Sequence, residues 1–197
     1  MTVEELQTCL GGDNGLYAGE QMYGLEAAVR AVMQGWDFRE PTGWRHVPAR
    51  VLSTGSLADP DAAASLLSRR LEEFAGSDLR ATIAAAAVCR RQVEYALPLG
   101  DGLPGVQGRV DLLWRDRDGR WDLLAVGAGD GGHLRLVLAA EAFRREMGAW
   151  PCTATIVQPL EGSVRTVSGS RLAHRRFLAM AEQGLKQLAR RPVNKSI

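Results

Sequence analysis

Two acidic residues, Glu94 and Asp111, lie in stretches of the sequence that otherwise predict β-strands. Asp111 stands among the apolar residues of 110–113, where a carboxylate is unfavourable unless a partner stabilises it. Carboxylate oxygens are also the preferred ligands of Mg²⁺, which is usually held by one or two of them together with substrate phosphate oxygens. Asp111, with Glu94 and a third acid at Asp130 or Glu141, is therefore a candidate site for a divalent cation.

The element that must position Asp111 is a predicted β-hairpin over residues 108–129. Asp118 followed by glycine is a turn signal between two apolar runs. A turn of about four residues places Asp111 opposite Ala125, and Gly127 lies on the same face of that strand. This face offers Asp111 neither a second carboxylate nor a lysine, so the hairpin by itself makes a poor Mg²⁺ site.

The rest of the chain predicts helices and strands in alternation. An N-terminal helix is predicted over about 18–34. The elements after residue 59 are, in order, helices over about 60–75 and 78–90, a strand over 92–99, the hairpin, a helix over 133–147, strands over 153–160 and 164–168, and a basic helix over 171–188. This order predicts an α/β fold with a central mixed β-sheet flanked by helices.

The length of 197 residues fits a single domain, with a helical and irregular N-terminal part over 1–59, an α/β core over 60–168 and a basic helix and tail over 169–197. Hydrophobic residues make up 46% of the chain and charged residues 24%, as is typical of a globular protein. No apolar run approaches the roughly 20 residues that span a bilayer. The acidic N-terminus does not resemble a secretory signal. We therefore expect a cytoplasmic protein with no membrane partner.

The C-terminal part of the chain is basic. From Glu161 to the end, eight Lys or Arg residues stand against two Glu, whereas the whole chain has a net charge of only +1. Such a segment is either a solvated helix face or a contact for a polyanion. The candidate nucleic-acid-binding residues are Arg135, on the helix after the hairpin, and Arg171, Arg175, Arg176 and Lys186 near the C-terminus.

Four stretches, in this order, resemble the core of the PD-(D/E)XK nucleases and in particular the RecB/AddAB-type exonuclease domain. They are Arg91-Gln-Val-Glu94-Tyr-Ala-Leu, Gly105-Val-Gln-Gly108-Arg-Val-Asp111, Trp121-Asp-Leu-Leu-Ala125-Val-Gly127-Ala-Gly129 and Arg135-Leu-Val-Leu-Ala139-Ala-Glu-Ala142-Phe143. A fifth, Gly19-x-x-x-Tyr23-x-x-Glu26, is similar to the family's Gly-x-x-x-His-x-x-Glu. The resemblance covers about residues 18–168 and implies a restriction-endonuclease-like core.

Carried over residue by residue, the resemblance implies an active site that has lost most of its groups. The family's metal-binding histidine falls on Tyr23, its first aspartate on Asp111, its second acid on Ala125 and its catalytic lysine on Gly127, while a glutamine of the next helix falls on Arg135. In such enzymes the metal activates a water molecule, and the lysine places a positive charge beside the attacked phosphate. Of the acids and the lysine, only Asp111 is kept.

The resemblance therefore predicts a catalytically inactive RecB-like module that acts as a DNA-binding or assembly subunit in DNA repair, recombination or defence. No catalytic residue and no cofactor is expected. The family's domain is fused to a helicase, so a helicase or nuclease subunit in trans is the expected protein partner, besides DNA. Two alternatives remain open. One is an active nuclease with a relocated site that uses Mg²⁺ or Mn²⁺ on Asp111, Glu94 and perhaps Asp130 or Glu141. The other is a purely structural protein-interaction domain.

Overall fold

A computed structural model describes most of the chain. The described residues are 27–46, 60–98, 105–127, 129–158, 163–167 and 179. Tyr23, Arg171, Arg175, Arg176 and Lys186 lie outside this set, as does the rest of the predicted C-terminal helix apart from residue 179. Within it, no helix combines the length and the apolar character that crossing a membrane requires.

Four helical segments precede the sheet in the described chain. They are helix α1 over residues 27–35, a 3₁₀ turn at Gly43–His46, helix α2 at Pro60–Ala75 and helix α3 at Asp78–Ala84. The Ser77 hydroxyl caps α3 by accepting a hydrogen bond from the Arg80 amide at 3.2 Å. This cap satisfies one of the amides that a helix N-terminus leaves without a partner.

The central sheet is mixed and has five strands, β1 Val88–Leu97, β2 Val106–Arg115, β3 Trp121–Val126, β4 Thr153–Gln158 and β5 Ser163–Val167. Their spatial order follows the chain, β1-β2-β3-β4-β5. All neighbouring strands are antiparallel except β3 and β4, which are parallel. Helix α4, Gly129–Met147, makes the crossover that a parallel pair requires.

Helices cover both faces of the sheet, as the alternating element order predicts. On one face, helices α1, α2 and α3 bury a core that includes Val32, Met33, Trp36, Leu67, Leu71, Phe74 and Ile83 against Leu112, Trp114, Leu124 and Val126. On the other face, Leu136, Ala139 and Ala140 of α4 pack on Val110, Leu113, Leu123, Ala125, Ala154 and Ile156. The N-terminal segment around Trp36 is thus part of the same core as the α/β elements.

The hairpin register is confirmed, whereas one strand boundary is wrong. Leu113 pairs with Leu123, which is the register that the turn signal predicts. The helix expected to continue to about residue 90 instead ends at Ala84, and β1 begins at Val88. The reason is tertiary, because the backbone of 88–91 completes an antiparallel ladder with the last residues of β2. The helix after the hairpin also begins earlier than predicted, at Gly129.

Candidate functional site

Asp111 lies where strands β2 and β3 part. The ladder between them ends at the pair Leu112–Leu124, so the amide of Val126 has no backbone partner on β2. The Asp111 Oδ2 atom accepts a hydrogen bond from this amide at 2.6 Å. A side-chain carboxylate therefore replaces a backbone carbonyl in the ladder, and a buried N–H group that would otherwise be unsatisfied is paired.

The side chain of Arg135, on the first half of α4, provides the counter-charge for Asp111. Its Nη2 atom lies 2.9 Å from Asp111 Oδ2, and it also donates a hydrogen bond to the Val126 carbonyl. Only 4% of the Asp111 side chain and 10% of the Arg135 side chain are exposed. The pair is therefore buried, and breaking it by removing one partner would leave an uncompensated charge.

A second arginine, Arg30 on helix α1, approaches the same point from the opposite side of the sheet. Its Nε and Nη2 atoms donate to the Val126 carbonyl at 3.2 and 3.0 Å. Its Nε atom lies 3.9 Å from Asp111 Oδ1. One carboxylate and two guanidinium groups thus hold both polar groups of the Val126 backbone at the open end of β3.

Gln92 completes the surroundings of Asp111 and adopts an unusual backbone conformation. It is the only non-glycine residue of the described chain with a positive φ, at 52°. It stands in the middle of β1, at the one position where the ladder with β2 lacks a pair. Its amide nitrogen donates to Asp111 Oδ1 at 3.2 Å, and its amide oxygen accepts from Arg109 at 3.3 Å. A left-handed conformation costs a residue with a side chain about 1–2 kcal/mol.

The same irregularity changes the face of the sheet to which the side chains of β2 point. Val110 and Leu113 both pack on the α4 side of the sheet, while Leu112 packs on the other side. In an unbroken strand, residues three apart point to opposite faces. The break falls at Asp111, and it turns the carboxylate toward the end of β3, where Arg135 and Val126 meet it.

Beside this cluster lies a polar cleft of about 760 Å³ between α1 and the outer ends of β1 and β2. Asp111, Arg30 and Arg135 line its inner end. Glu94 and Arg109 line it further out, as cross-strand partners with side chains 79% and 55% exposed. Their closest charged atoms are 3.7 Å apart. The structure therefore brings the two predicted acids, Asp111 and Glu94, to one cleft.

Among the described residues of this cleft, the Asp111 carboxylate is not free to bind a divalent metal. Asp111 already accepts hydrogen bonds from Val126, Arg135 and Gln92. The side chain of Ala125 is a methyl group without an oxygen ligand, and it is fully buried in the apolar cluster under α4. Among the described residues, no three His, Cys, Asp or Glu side chains are grouped as metal ligands.

Glu141 has a structural role of its own further along α4. It is six residues, about 9 Å along the helix axis, beyond Arg135. Its buried carboxylate accepts hydrogen bonds from Arg144 at 2.6 and 2.7 Å and from Arg145 at 2.8 Å. These bonds, with the one from Arg144 as the larger cause, hold the pKa of Glu141 below its ordinary value. Glu141 is therefore committed to its own helix.

Arg135 has a different role from the DNA contact expected of it. It is buried, and its guanidinium is bound to Asp111 and the Val126 carbonyl. The sequence left this pairing open, since an ion pair of Asp111 with an arginine such as Arg109 or Arg135 was the alternative to a metal site. Sequence reasoning missed Arg30 and Gln92 completely. No local pattern marks either of them, because their contacts join segments far apart in the chain.

Of the other expected positions, Tyr23 and the four basic C-terminal residues lie outside the described chain, as does the side chain of Asp130.

The fold and the site together define a mixed α/β domain in which two arginines hold a buried acid beneath a polar cleft. No family model matches the chain, and no curated protein matches it. Among solved structures, the chain is similar to the crystal structure of SSO0001, with a TM-score of 0.38 and 14% identity over 93% of this chain and 82% of the other.

Proposed function

We propose that this chain is a catalytically inactive module on a restriction-endonuclease-like, RecB-like core, and that it binds DNA as a subunit in DNA repair, recombination or defence. A cytoplasmic location belongs to the same proposal. The protein partner would be a helicase or an active nuclease in trans, by analogy with the family's fusion of this domain to a helicase. The core and the partner both rest on the motif resemblance described above.

The observation that carries the proposal is the set of partners around Asp111. A nuclease of this kind needs its aspartate free to bind a metal, with a second acid and a lysine nearby. Here the aspartate is an acceptor for Val126 and Arg135. A cation at Asp111 would have to displace a guanidinium group and leave the Val126 amide without its acceptor. This supports a structural use of the residue that the resemblance matches to a metal ligand.

The charges of the cleft support DNA as the ligand. Three arginines, Arg30, Arg109 and Arg135, line it against two acids, Asp111 and Glu94. Most protein–DNA hydrogen bonds go to phosphate and sugar, and arginine is a leading donor to them. Of the three, Arg109 is the most exposed, with 55% of its side chain in solvent, and it supports a contact with a phosphate.

A nuclease assay tests the loss of catalysis. The purified chain would be incubated with end-labelled single-stranded and linear duplex DNA in 5 mM Mg²⁺ or Mn²⁺ (concentrations on the order of those that fill weak carboxylate sites). We expect no cleavage above that of an Asp111→Asn variant, together with DNA binding that weakens as salt is raised. Cleavage that Asp111→Asn abolishes would establish the relocated active site instead. If the chain neither cleaves nor binds DNA, a purely structural protein-interaction domain is the remaining alternative.

A further inference from the structure

We propose that two arginines on the α4 side of the sheet, Arg90 of β1 and Arg115 of β2, bind the phosphodiester backbone of DNA. Together with Trp121 of β3 they form a surface that we call the arginine surface. The inference rests on the proposed function and adds a second place of contact with DNA, since none of the three residues lines the cleft.

The register of the sheet places these three side chains on one face. Leu113 packs on the α4 side, and Arg90 is its cross-strand partner on β1. Arg115 follows Leu113 by two residues, so it points to the same side, and Trp121 is its partner on β3. Arg90 and Arg115 are both exposed. Diagonal neighbours of this kind are about 7–8 Å apart, so their long side chains can reach one phosphate or two successive ones.

Trp121 holds the guanidinium group of Arg115 in place without using its hydrogen-bond donors. The Cζ atom of Arg115 lies 5.4 Å from the centre of the Trp121 ring, and Trp121 in turn packs against Phe143 of α4. Such a contact uses the face of the guanidinium group and leaves its N–H groups free for a phosphate, which accepts them in pairs. Because Arg115 is already held, less side-chain freedom is lost when it binds.

The two arginines of this surface have no carboxylate partner. Among the described residues, neither Arg90 nor Arg115 donates a side-chain hydrogen bond or forms an ion pair. Arg144 of α4 differs, although it also lies over a tryptophan, Trp150, at 5.3 Å. Its guanidinium group is bound to Glu141 through two hydrogen bonds. Only the charges of Arg90 and Arg115 are therefore available to a ligand.

The charges of the adjacent turn over 116–120 cancel one another. Arg120 forms ion pairs with Asp116 and Asp118, each at 2.8 Å. Arg117 is the second positive residue of this turn. With two positive and two negative side chains, the turn does not offset the charge of Arg115.

The last turns of α4 are neutral in the same way. Arg144 and Arg145 both bind the carboxylate of Glu141, and Glu146 balances the remaining positive charge. Since both neighbouring segments are neutral, the arginine surface keeps its two positive charges. Arginine side chains are leading donors to DNA phosphates, and each phosphate that they neutralise releases counterions.

The test is fluorescence anisotropy with the purified full chain and labelled single-stranded and duplex oligonucleotides, measured over a range of KCl. The variants are Arg90→Gln, Arg115→Gln and the double variant. The matched control is Arg69→Gln. Arg69 is also exposed and has no ion pair among the described residues, but it lies on α2, which packs on the opposite side of the sheet. All three arginines are exposed, so the substitutions do not alter the core.

We expect each single variant to weaken DNA binding about fivefold and to lower the salt slope by about one, as the loss of one phosphate contact does. The double variant should lower the slope by about two. Arg69→Gln should change binding less than about twofold, since distant charges are screened.

Two other outcomes would overturn the inference, and they are distinguishable. If the double variant binds DNA as Arg69→Gln does, the arginine surface is not a DNA contact, and only this inference fails. If the wild-type chain does not bind DNA at low salt, both this inference and the DNA-binding function fail.

Discussion

Asp111 and Arg135 bind the backbone amide and the backbone carbonyl of the same residue, Val126. Asp111 Oδ2 accepts from the Val126 amide at 2.6 Å, Arg135 donates to the Val126 carbonyl, and the two side chains pair with each other at 2.9 Å. The ion pair therefore closes the end of β3 at the point where β2 turns away. An acid that the motif resemblance matches to a metal ligand serves here as part of the sheet.

The first prediction concerns the strength of this pair. Asp111→Ala should lower the free energy of unfolding by about 3–5 kcal/mol, because it leaves the Arg135 guanidinium buried and uncompensated. Arg135→Met with Asp111→Ala should cost clearly less than the sum of the two single changes. Urea unfolding followed by tryptophan fluorescence would give the coupling energy.

A control cycle on the exposed pair Arg45 and Glu72 should give a coupling below about 1 kcal/mol. A coupling energy for Asp111 and Arg135 no larger than that of the control pair would contradict a stabilising role of this ion pair at the end of β3.

The second prediction concerns the backbone of Gln92. In an ordinary strand, glycine is less stable than alanine by about 0.5–1 kcal/mol. At Gln92, with φ at 52°, the order should reverse, and Gln92→Gly should be more stable than Gln92→Ala by about 1 kcal/mol. Both variants lose the amide that donates to Asp111, so their difference reports the backbone alone.

The matched control for Gln92 is Val93, the next residue of the same strand, which pairs regularly with Val110. There Val93→Gly should be the less stable of the glycine and alanine variants by about 0.5–1 kcal/mol. The same order at both positions would show that Gln92 is not strained.

The third prediction concerns Ala125, the position at which the resembled motif has its second acidic residue. Ala125→Asp restores the carboxylate of the resembled motif, but Ala125 is fully buried against Leu136, Ala139 and Ala140. We expect a loss of more than about 3 kcal/mol of stability and no gain of Mg²⁺ binding, because a buried carboxylate without a partner is strongly disfavoured. Thermal unfolding with and without Mg²⁺ would measure both effects. Ala96→Asp, on the exposed face of β1, should change stability by less than about 0.5 kcal/mol.

The fourth prediction is a pH dependence at Glu141. Hydrogen bonds from Arg144 and then Arg145 lower its pKa in the folded chain below the ordinary 4.5. The stabilisation is therefore complete above this ordinary value and is lost as the pH falls through the lower, folded value. Glu141→Gln should cost about 1–2 kcal/mol at pH 7 and progressively less on acidification.

Chemical unfolding at several pH values between neutral and about pH 3 would measure the difference between the wild type and Glu141→Gln. Glu72→Gln, which alters an exposed pair, should cost less than about 1 kcal/mol at neutral pH. A difference for Glu141→Gln that grows on acidification would contradict the assigned hydrogen bonds.

Much of the architecture was predictable because local sequence patterns specify it. The turn at Asp118 and the apolar runs beside it set the hairpin register, and the pairing of Leu113 with Leu123 confirms it. The order of helices and strands predicted a mixed sheet covered on both faces. The start of β1 at Val88 was missed, because a sequence that also favours helix becomes a strand through its pairing with β2.

The sequence by itself determined that Asp111 would be buried on a strand and would need a partner, since alternation and apolar neighbours decide burial locally. The sequence offered Arg109 and Arg135 as possible partners, and only the tertiary structure selected Arg135 and added Arg30 and Gln92. Arg135 is 24 residues away, and Arg30 reaches Val126 across a separation of 96 residues. Such contacts depend on how β2 and β3 diverge and on where α1 and α4 cross the sheet, and these positions follow from the packing of the whole core. The physical reason is that a buried charge is stabilised by whatever group the fold brings within hydrogen-bonding distance, whatever its place in the chain.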